Sequence, residues 1–141
     1  MNLKNITLFQ QNFKDFTLES EIEKNNNFKN LCDVINSIKD LVVISTYNEK
    51  KSYEINFMVL NHAYEVAHNL QTLLLNKFLE RVSCGMVYVL DYDLKEVDGQ
   101  NEWIPNGKMH PLYYIELMET DKAAISEVTD FIKQNINLII E

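Results

Sequence analysis

Four stretches of the chain place apolar residues three or four positions apart, which is the spacing of one face of an α-helix. Residues able to cap a helix stand before the second, third and fourth stretches, and these predict where each helix begins. The caps are Ser20 with Glu23, then Asn61, then Thr120 or Asp121. The apolar positions are Ile6, Phe9, Phe13 and Phe16; Phe28, Leu31, Val34, Ile35 and Ile38; Val66, Leu70, Leu73, Leu74 and Phe78; and Ile125, Val128, Ile132 and Ile136.

Two of these helices have further boundary signals. The run Asn25–Asn27 has poor helix propensity, so the second helix could instead begin later, with Asn27 as its cap. Gly85 stands where the third helix is expected to stop, because glycine is common just past a helix C-terminus.

Strand patterns occupy the segments between the helices. Leu41–Tyr47 is rich in β-branched residues and predicts a buried strand, and Asn48–Ser52 is a polar turn. Tyr53–Val59 alternates apolar and polar residues, which predicts a second strand of the same hairpin with one wetter face. Met86–Tyr92 and Leu112–Met118 predict two more strands.

The connection from Asp93 to Pro111 reads as a long loop, because it holds both prolines and two of the three glycines. The predicted element order is therefore α-α-β-β-α-β-β-α, in one domain over residues 1–141. This order favours an α+β fold with a mostly antiparallel sheet of about four strands and helices packed on it. In element order and acidity it is broadly similar to the small secretion chaperones, which is a likeness of fold class.

Composition excludes several classes of function. The net charge of −8 argues against nucleic acid or an anionic membrane as the main partner, since both attract basic surfaces. Two cysteines are too few for a disulfide framework or a zinc site. We find no signal peptide and no apolar run of membrane-spanning length, so the expected compartment is the cytoplasm. Twelve lysines and seventeen asparagines suggest AT-rich codons and a bacterial or phage source.

The strongest candidate for a functional site is the acidic end of the predicted loop. Residues 91–102 contain five acids and one lysine, a net charge of −4, which is half of the total. Trp103, the only tryptophan, follows directly, and tryptophan is a frequent anchor of protein interfaces. Acids around such an anchor would steer a basic partner towards it. The predicted partner-binding residues are Asp91, Asp93, Glu96, Asp98, Glu102 and Trp103; alternatively, Trp103 folds back onto the sheet as a lid on the core.

A calcium loop fits the same segment poorly. Asp91, Asp93 and Glu102 would occupy positions one, three and twelve, but Lys95 stands at position five and Glu96 replaces the glycine of position six. We therefore expect no metal and no cofactor.

Histidines and cysteines give weak catalytic candidates. Glu65 and His68 form half of a di-iron motif, but a second Glu-x-x-His is missing, and His62 lies too far around the same helix to share an ion with His68. Cys84 sits between a helix and a strand, where a nucleophile can be placed, and His110 could act as a base. A small buried thiol and a solvated histidine explain both residues more simply.

The sequence favours a non-enzymatic acidic protein that binds and neutralises or masks a basic protein partner, namely a toxin, nuclease or effector. Immunity proteins, antitoxins and anti-defence inhibitors work in this way. One alternative is a dimeric, chaperone-like protein that uses Phe9, Phe13 and Phe16 at its interface, although that stripe could equally pack on the chain's own sheet. Another is a small enzyme or ligand-binding domain with Cys84, His62 and His110 in a pocket between sheet and helix.

Overall fold

The computed structural model describes residues 26–49, 52–118 and 122–140. The elements of these ranges, including a short 3-10 turn before the third strand, follow one another in a regular order. They are α1 (Asn26–Ser37), β1 (Leu41–Glu49), β2 (Ser52–Val59), α2 (Tyr64–Phe78), the 3-10 turn (Leu79–Arg81), β3 (Val82–Val97), β4 (Gln100–Met118), α3 (Lys122–Gln134) and α4 (Ile136–Ile140).

The four strands form one sheet in the order β1-β2-β4-β3, with antiparallel pairing at every step. The chain is therefore an α+β protein with a four-stranded antiparallel sheet, as the hydrophobic pattern predicts. From α1 onwards the observed order begins α-β-β-α-β-β-α, and the short helix α4 is an addition. The predicted first helix with Ile6, Phe9, Phe13 and Phe16, and the caps Ser20, Thr120 and Asp121, lie outside the described residues.

One face of the sheet carries the main core. Along β2, alternate residues point into it, so that Ile55 and Phe57 are completely buried, and Ile115 and Leu117 of β4 lie beside them. The Phe57 and Tyr113 rings stack with their centroids 5.6 Å apart. The predicted apolar faces of α1, α2 and α3 cover this layer. Each fully buried side chain of this size contributes roughly 1.5–3 kcal/mol to the stability of the fold. Apolar residues therefore occupy these positions, and their helical spacing is visible in the sequence.

A smaller apolar cluster lies apart from this core. Ile44 and Met58 are buried at its centre, and Val42, Leu60, Val89 and Leu112 pack around them. The residues of β2 and β4 in this cluster alternate with those of the main core, and the sheet therefore holds apolar contacts on both of its faces.

Asn61 has a different role from the predicted helix cap. The N-cap residue of α2 is Ala63, which makes no side-chain capping bond. Asn61 lies two residues earlier and adopts a φ of 54°. Its side-chain Nδ2 donates instead to Asp40 Oδ1 at 2.9 Å, and the Leu60 N–H donates to the Asp40 carbonyl at 2.8 Å. These bonds join the turn before β1 to the turn after β2. Asn27 likewise lies inside α1 and is not its cap.

Gly85 does not end the α2 helix, which stops at Phe78, but lies within β3. A Cβ atom at this position would lie 2.2 Å from the Tyr114 Oη, so the absence of a side chain lets the Tyr114 ring cover the strand. Gln71 of α2 is buried here, and its Nε2 donates to the carbonyls of Gly85 (2.8 Å) and Tyr114 (3.1 Å). This side chain fixes α2 against the β3–β4 pair.

The predicted long loop from Asp93 to Pro111 is wrong, because those residues form the outer half of a β-hairpin. β3 continues to Val97, and β4 begins at Gln100. The sequence signal for this hairpin is the dipeptide Asp98-Gly99, a strong two-residue turn former. The prolines misled the prediction: Pro105 and Pro111 both lie within β4. Among the described residues, no helix is both long and apolar enough to cross a membrane.

Candidate protein-interaction site on the long hairpin

The β3–β4 hairpin extends well beyond the rest of the sheet. The pairing of β2 with β4 ends at Phe57 and Tyr113, whereas β3 and β4 stay paired as far as Val97 and Gln100. The eleven residue-to-residue steps from Met86, which faces Tyr113, to Val97 span roughly 35 Å at the rise of a strand. We call residues 87–112 the distal hairpin and, within it, residues 91–106 the tip.

A two-residue turn closes the tip. Asp98 and Gly99 have φ angles of 52° and 79°, the left-handed pair that a type I′ turn requires. Because this turn matches the twist of the flanking strands, the ribbon remains paired to its end. The acids around the turn are therefore held on a defined scaffold.

A bulge separates the tip from the part of the hairpin nearer the sheet. The strand register passes from Leu90–Met109 to Tyr92–Pro105, so that Asp91 of β3 faces three residues of β4, numbers 106–108. Within these three, Gly107 has a φ of 84°. The backbone N–H of Lys108 donates to Asn106 Oδ1 at 2.9 Å and closes a tight local turn.

The Asp91 carboxylate organises this bulge. Oδ1 accepts from the Tyr92 N–H at 2.9 Å, and Oδ2 accepts from Asn106 Nδ2 at 3.0 Å and lies 3.0 Å from His110 Nε2. Asn106 Nδ2 also reaches Asp93 Oδ1, at 3.2 Å. Burial by itself would raise the pKa of Asp91, but the hydrogen bonds from Asn106 and His110 outweigh it and lower the pKa below its ordinary value. Asp91 is therefore a charged, internally bonded residue.

The strand register gives the two faces of the tip different characters. Tyr92 faces Pro105 and Leu94 faces Trp103, and these four residues form an apolar face. Asp91 and Asp93 alternate with them and lie on the opposite face. The same alternation places Tyr88 and Leu90 on the side of Tyr92, which makes the apolar face continuous along β3.

The structure brings the predicted partner-binding residues together on the tip but in different environments. Glu96, Asp98 and Glu102 are exposed, Asp93 and Trp103 are half-buried, and Asp91 is only 5% exposed. Trp103 belongs to neither core cluster among the described residues. Asp91 contributes by positioning the bulge, while Glu96, Asp98 and Glu102 face solvent.

Two residues of the catalytic alternative, Cys84 and His110, do not share a site. Cys84 faces Ile115 and packs against the main core, whereas His110 faces Val89, five residues further along β3 and on the other side of the sheet. Burial raises the pKa of the Cys84 thiol to about 12, which leaves it protonated and a poor nucleophile at neutral pH. Burial also raises the pKa of Cys32 to about 12, and the nearby Asp33 carboxylate adds to the effect.

The histidines of α2 and its preceding turn have structural neighbours. His62 adopts a φ of 57°, and its Nδ1 lies 3.5 Å from the Tyr64 hydroxyl. His68 packs edge-on against the Tyr113 ring with centroids 5.7 Å apart. In the ranges that the structure describes, no group of three His, Cys, Asp or Glu side chains is arranged to hold a metal ion. The segment also does not form a calcium-binding loop, since Asp93 and Glu102 lie in paired strands.

An open depression of about 640 Å³ lies at the C-terminal end of α2, away from the distal hairpin. Leu75, Phe78, Leu79, Glu80 and Arg81 line it, and none of the three residues of the catalytic alternative does. Arg81 Nη1 is bonded to Glu127 Oε2 at 2.7 Å, and its guanidinium carbon lies 5.9 Å from the centre of the Phe78 ring. Its lining offers an apolar surface and one paired cation rather than catalytic groups.

Sequence reasoning missed Asn106 and His110 as partners of Asp91, and it missed the exposed apolar residues of β3. The dipeptide Asn106-Gly107 is a turn signal that could have marked the bulge. The bonding of His110 to Asp91 has no sequence signal, because it depends on the register across the hairpin.

Comparison with known proteins gives no relative for this fold or site: no family model, no curated protein and no solved structure matches the chain.

Proposed function

We propose that this protein is a non-enzymatic binding protein whose hairpin tip docks on a basic protein partner, such as a toxin, nuclease or effector, and neutralises or masks it. A cytoplasmic site of action is part of the proposal. The single observation that carries it is the concentration of acidic side chains at the end of a projecting, two-stranded ribbon, next to Trp103 and Leu94.

Charge supports this choice of partner. Half of the net charge of −8 lies in residues 91–102, and Glu96, Asp98 and Glu102 all face solvent. Exposed charges of one sign accelerate association with an oppositely charged protein by roughly 10–1,000-fold at low salt. They add less to the lifetime of the complex, because solvated charges are screened.

The apolar face of the tip would supply the contact energy that exposed charges alone do not. Leu94 and Trp103 are neighbours across the strands, and Tyr92 and Pro105 continue the same face. A half-buried tryptophan beside aliphatic and aromatic neighbours is a typical centre of a protein interface. In the proposed complex the acids steer the partner and Trp103 holds it.

The construction of the hairpin also favours binding. The type I′ turn and the bonded Asp91 carboxylate fix the tip before a partner arrives. A site ordered in advance loses less conformational entropy when it binds, so more of the contact energy appears as affinity.

The test begins with capture of the tagged protein from its native host, followed by kinetic measurements on the purified partner. One variant neutralises the tip by Glu96→Gln, Asp98→Asn and Glu102→Gln. A matched control makes the same change in charge on exposed helical acids, by Asp33→Asn, Glu65→Gln and Asp130→Asn. A third variant is Trp103→Ala.

We expect the tip variant to slow association at least about tenfold at low salt, with little difference at high salt, while the control stays close to the wild type. Trp103→Ala should speed dissociation about tenfold or more, since such anchors contribute more than about 1–2 kcal/mol. An acidic partner, or a basic one equally affected by the tip variant and the control, would contradict the proposal.

A further inference from the structure

The outer edge of the sheet is formed by β3, which pairs with β4 on one side only among the described strands. Alternate residues of such an edge direct their N–H and C=O groups away from the sheet, where they can pair with another strand. Soluble proteins usually guard such an edge with charged side chains, prolines or bulges. In β3, the part beyond Leu90 carries such protective residues, whereas the part from Val82 to Leu90 does not.

The segment Val82–Leu90, which we call the stem edge, has none of these devices. Its nine residues include no charge and no proline, and its register with β4 is regular. Four of its large apolar residues are exposed, namely Met86 (37%), Val87 (49%), Tyr88 (62%) and Leu90 (44%).

The other edges of this sheet are guarded. The outer part of β3 carries Asp93, Lys95 and Glu96, and a bulge separates it from the stem edge. At the opposite edge, β1 contains polar residues and its own irregularity between Val43 and Ser45. The missing protection is therefore confined to one segment, as expected of an edge that is covered by another strand.

We propose that the stem edge pairs with the stem edge of a second copy of this chain, in antiparallel orientation, and that two sheets join into one of eight strands. Charge supports the antiparallel orientation. The acidic tip follows the stem edge directly, so parallel overlap would set the two acidic tips side by side, whereas antiparallel overlap places them at opposite ends of the dimer.

Side-chain alternation supports the same pairing. Met86, Tyr88 and Leu90 lie on the helical side of β3, and Val87 and Val89 on the other side. With the two segments overlapped about Met86, every facing pair is apolar except Ser83 against Val89. Met86 faces the Met86 of the other copy and lies diagonally beside its Tyr88, and sulfur–aromatic contacts of this kind are favourable. The acidic tips point away from each other, so each remains free for the partner proposed above.

The oligomeric state tests this inference directly. Sedimentation or native mass measurement of the full chain over a range of concentrations should show a reversible dimer. Tyr88→Lys adds to the stem edge the lysine that guarded edges carry, and it should raise the dimer dissociation constant at least about tenfold. The matched control is Met109→Lys, a residue that is 55% exposed on β4, the strand that does not form the stem edge, and it should leave the dimer intact.

Cross-linking tests the orientation. In a Cys84→Ser background, Met86→Cys lies near the two-fold axis and should cross-link to its own copy with a short thiol-reactive linker. Glu96→Cys lies at the far ends of the antiparallel dimer and should not. Cross-linking of both would mean parallel pairing and overturn the proposed arrangement.

Three other results would overturn the inference: a monomer at every concentration, a dimer that Tyr88→Lys does not weaken, or equal loss of the dimer in Met109→Lys. Salt separates this interaction from partner binding. Because both copies carry −8, added salt screens their repulsion and should strengthen the dimer, whereas it should slow association of the tip with a basic partner.

Discussion

Replacing Asp91 by alanine removes the acceptor that holds the bulge of the hairpin together. In the wild type the Asp91 carboxylate accepts from the Tyr92 N–H and from Asn106 and lies 3.0 Å from His110 Nε2. A hydrogen bond to a charged group contributes about 1.5–3 kcal/mol net. Asn106 keeps Asp93 as a partner, and the His110 side chain is 24% exposed and can turn to water. The expected loss is therefore about 2–3 kcal/mol, close to one such bond.

Urea unfolding at neutral pH measures this loss. With a slope of about 2 kcal/mol per molar urea, the midpoint of the Asp91→Ala variant should fall by roughly 1 M or somewhat more. Asp33→Ala is the control, because it removes an exposed carboxylate from α1 and should leave the midpoint nearly unchanged.

The pH dependence gives a second, independent measurement. The folded-state pKa of Asp91 lies below its ordinary value, which is about 3.9 in an unfolded chain. A carboxyl group of this kind stabilises the fold fully above its unfolded pKa, and the stabilisation is lost as the pH falls through the folded pKa. The difference between wild type and Asp91→Ala should thus be complete at pH 6–7 and shrink below about pH 4. A difference that is absent at neutral pH, or unchanged in acid, would refute the argument.

Three further changes test other parts of the structure. Gly85→Ala should cost about 1–3 kcal/mol in urea unfolding, because the new Cβ would clash with the Tyr114 hydroxyl and ring and displace them; an unchanged midpoint would contradict the close approach. Gly99→Ala should cost about 1 kcal/mol, from its φ of 79° alone, since nothing lies within 4 Å of the added methyl group; a loss as large as that of Asp91→Ala would show that the turn has other constraints. With pKa values of about 12, Cys32 and Cys84 should resist alkylation by iodoacetamide at neutral pH and react when urea unfolds the chain; mass spectrometry showing rapid labelling of the native protein would argue against their burial.

The parts of the fold that sequence predicted well are those with a local, periodic signal. The stripes of α1, α2 and α3 follow helical spacing, and Tyr53, Ile55 and Phe57 follow the two-residue period of a strand. Most of the predicted apolar positions are buried, because the same spacing that identifies an element also orients its core face. Val66 and Leu73 are only partly buried, and Ile136 lies in α4 instead of α3.

The long hairpin was missed because its signals conflict. Pro105 and Pro111 disfavour a strand, while Asp98-Gly99 favours a tight hairpin turn, and the prolines were given more weight. Proline can be accommodated in β4 here because Pro105 lies next to the bulge and Pro111 faces Tyr88 beyond the end of the β2 pairing.

The candidate site was predicted in part for a similar reason. The acids and Trp103 are close in sequence and stay close in space, so composition located them. Pairing of Asp91 with Asn106 and His110 spans 15 and 19 positions and depends on the register of the bulge. No local pattern contains that information.

The separation of the tip from the two core clusters has a consequence for how this protein can change over evolutionary time. In the described chain the core clusters include no residue between Leu90 and Pro111. Substitutions at distant sites without shared neighbours affect stability almost independently. The charges and the anchor at the tip can therefore be exchanged in step with a changing partner, while the residues that fold the domain stay under their own, separate constraint.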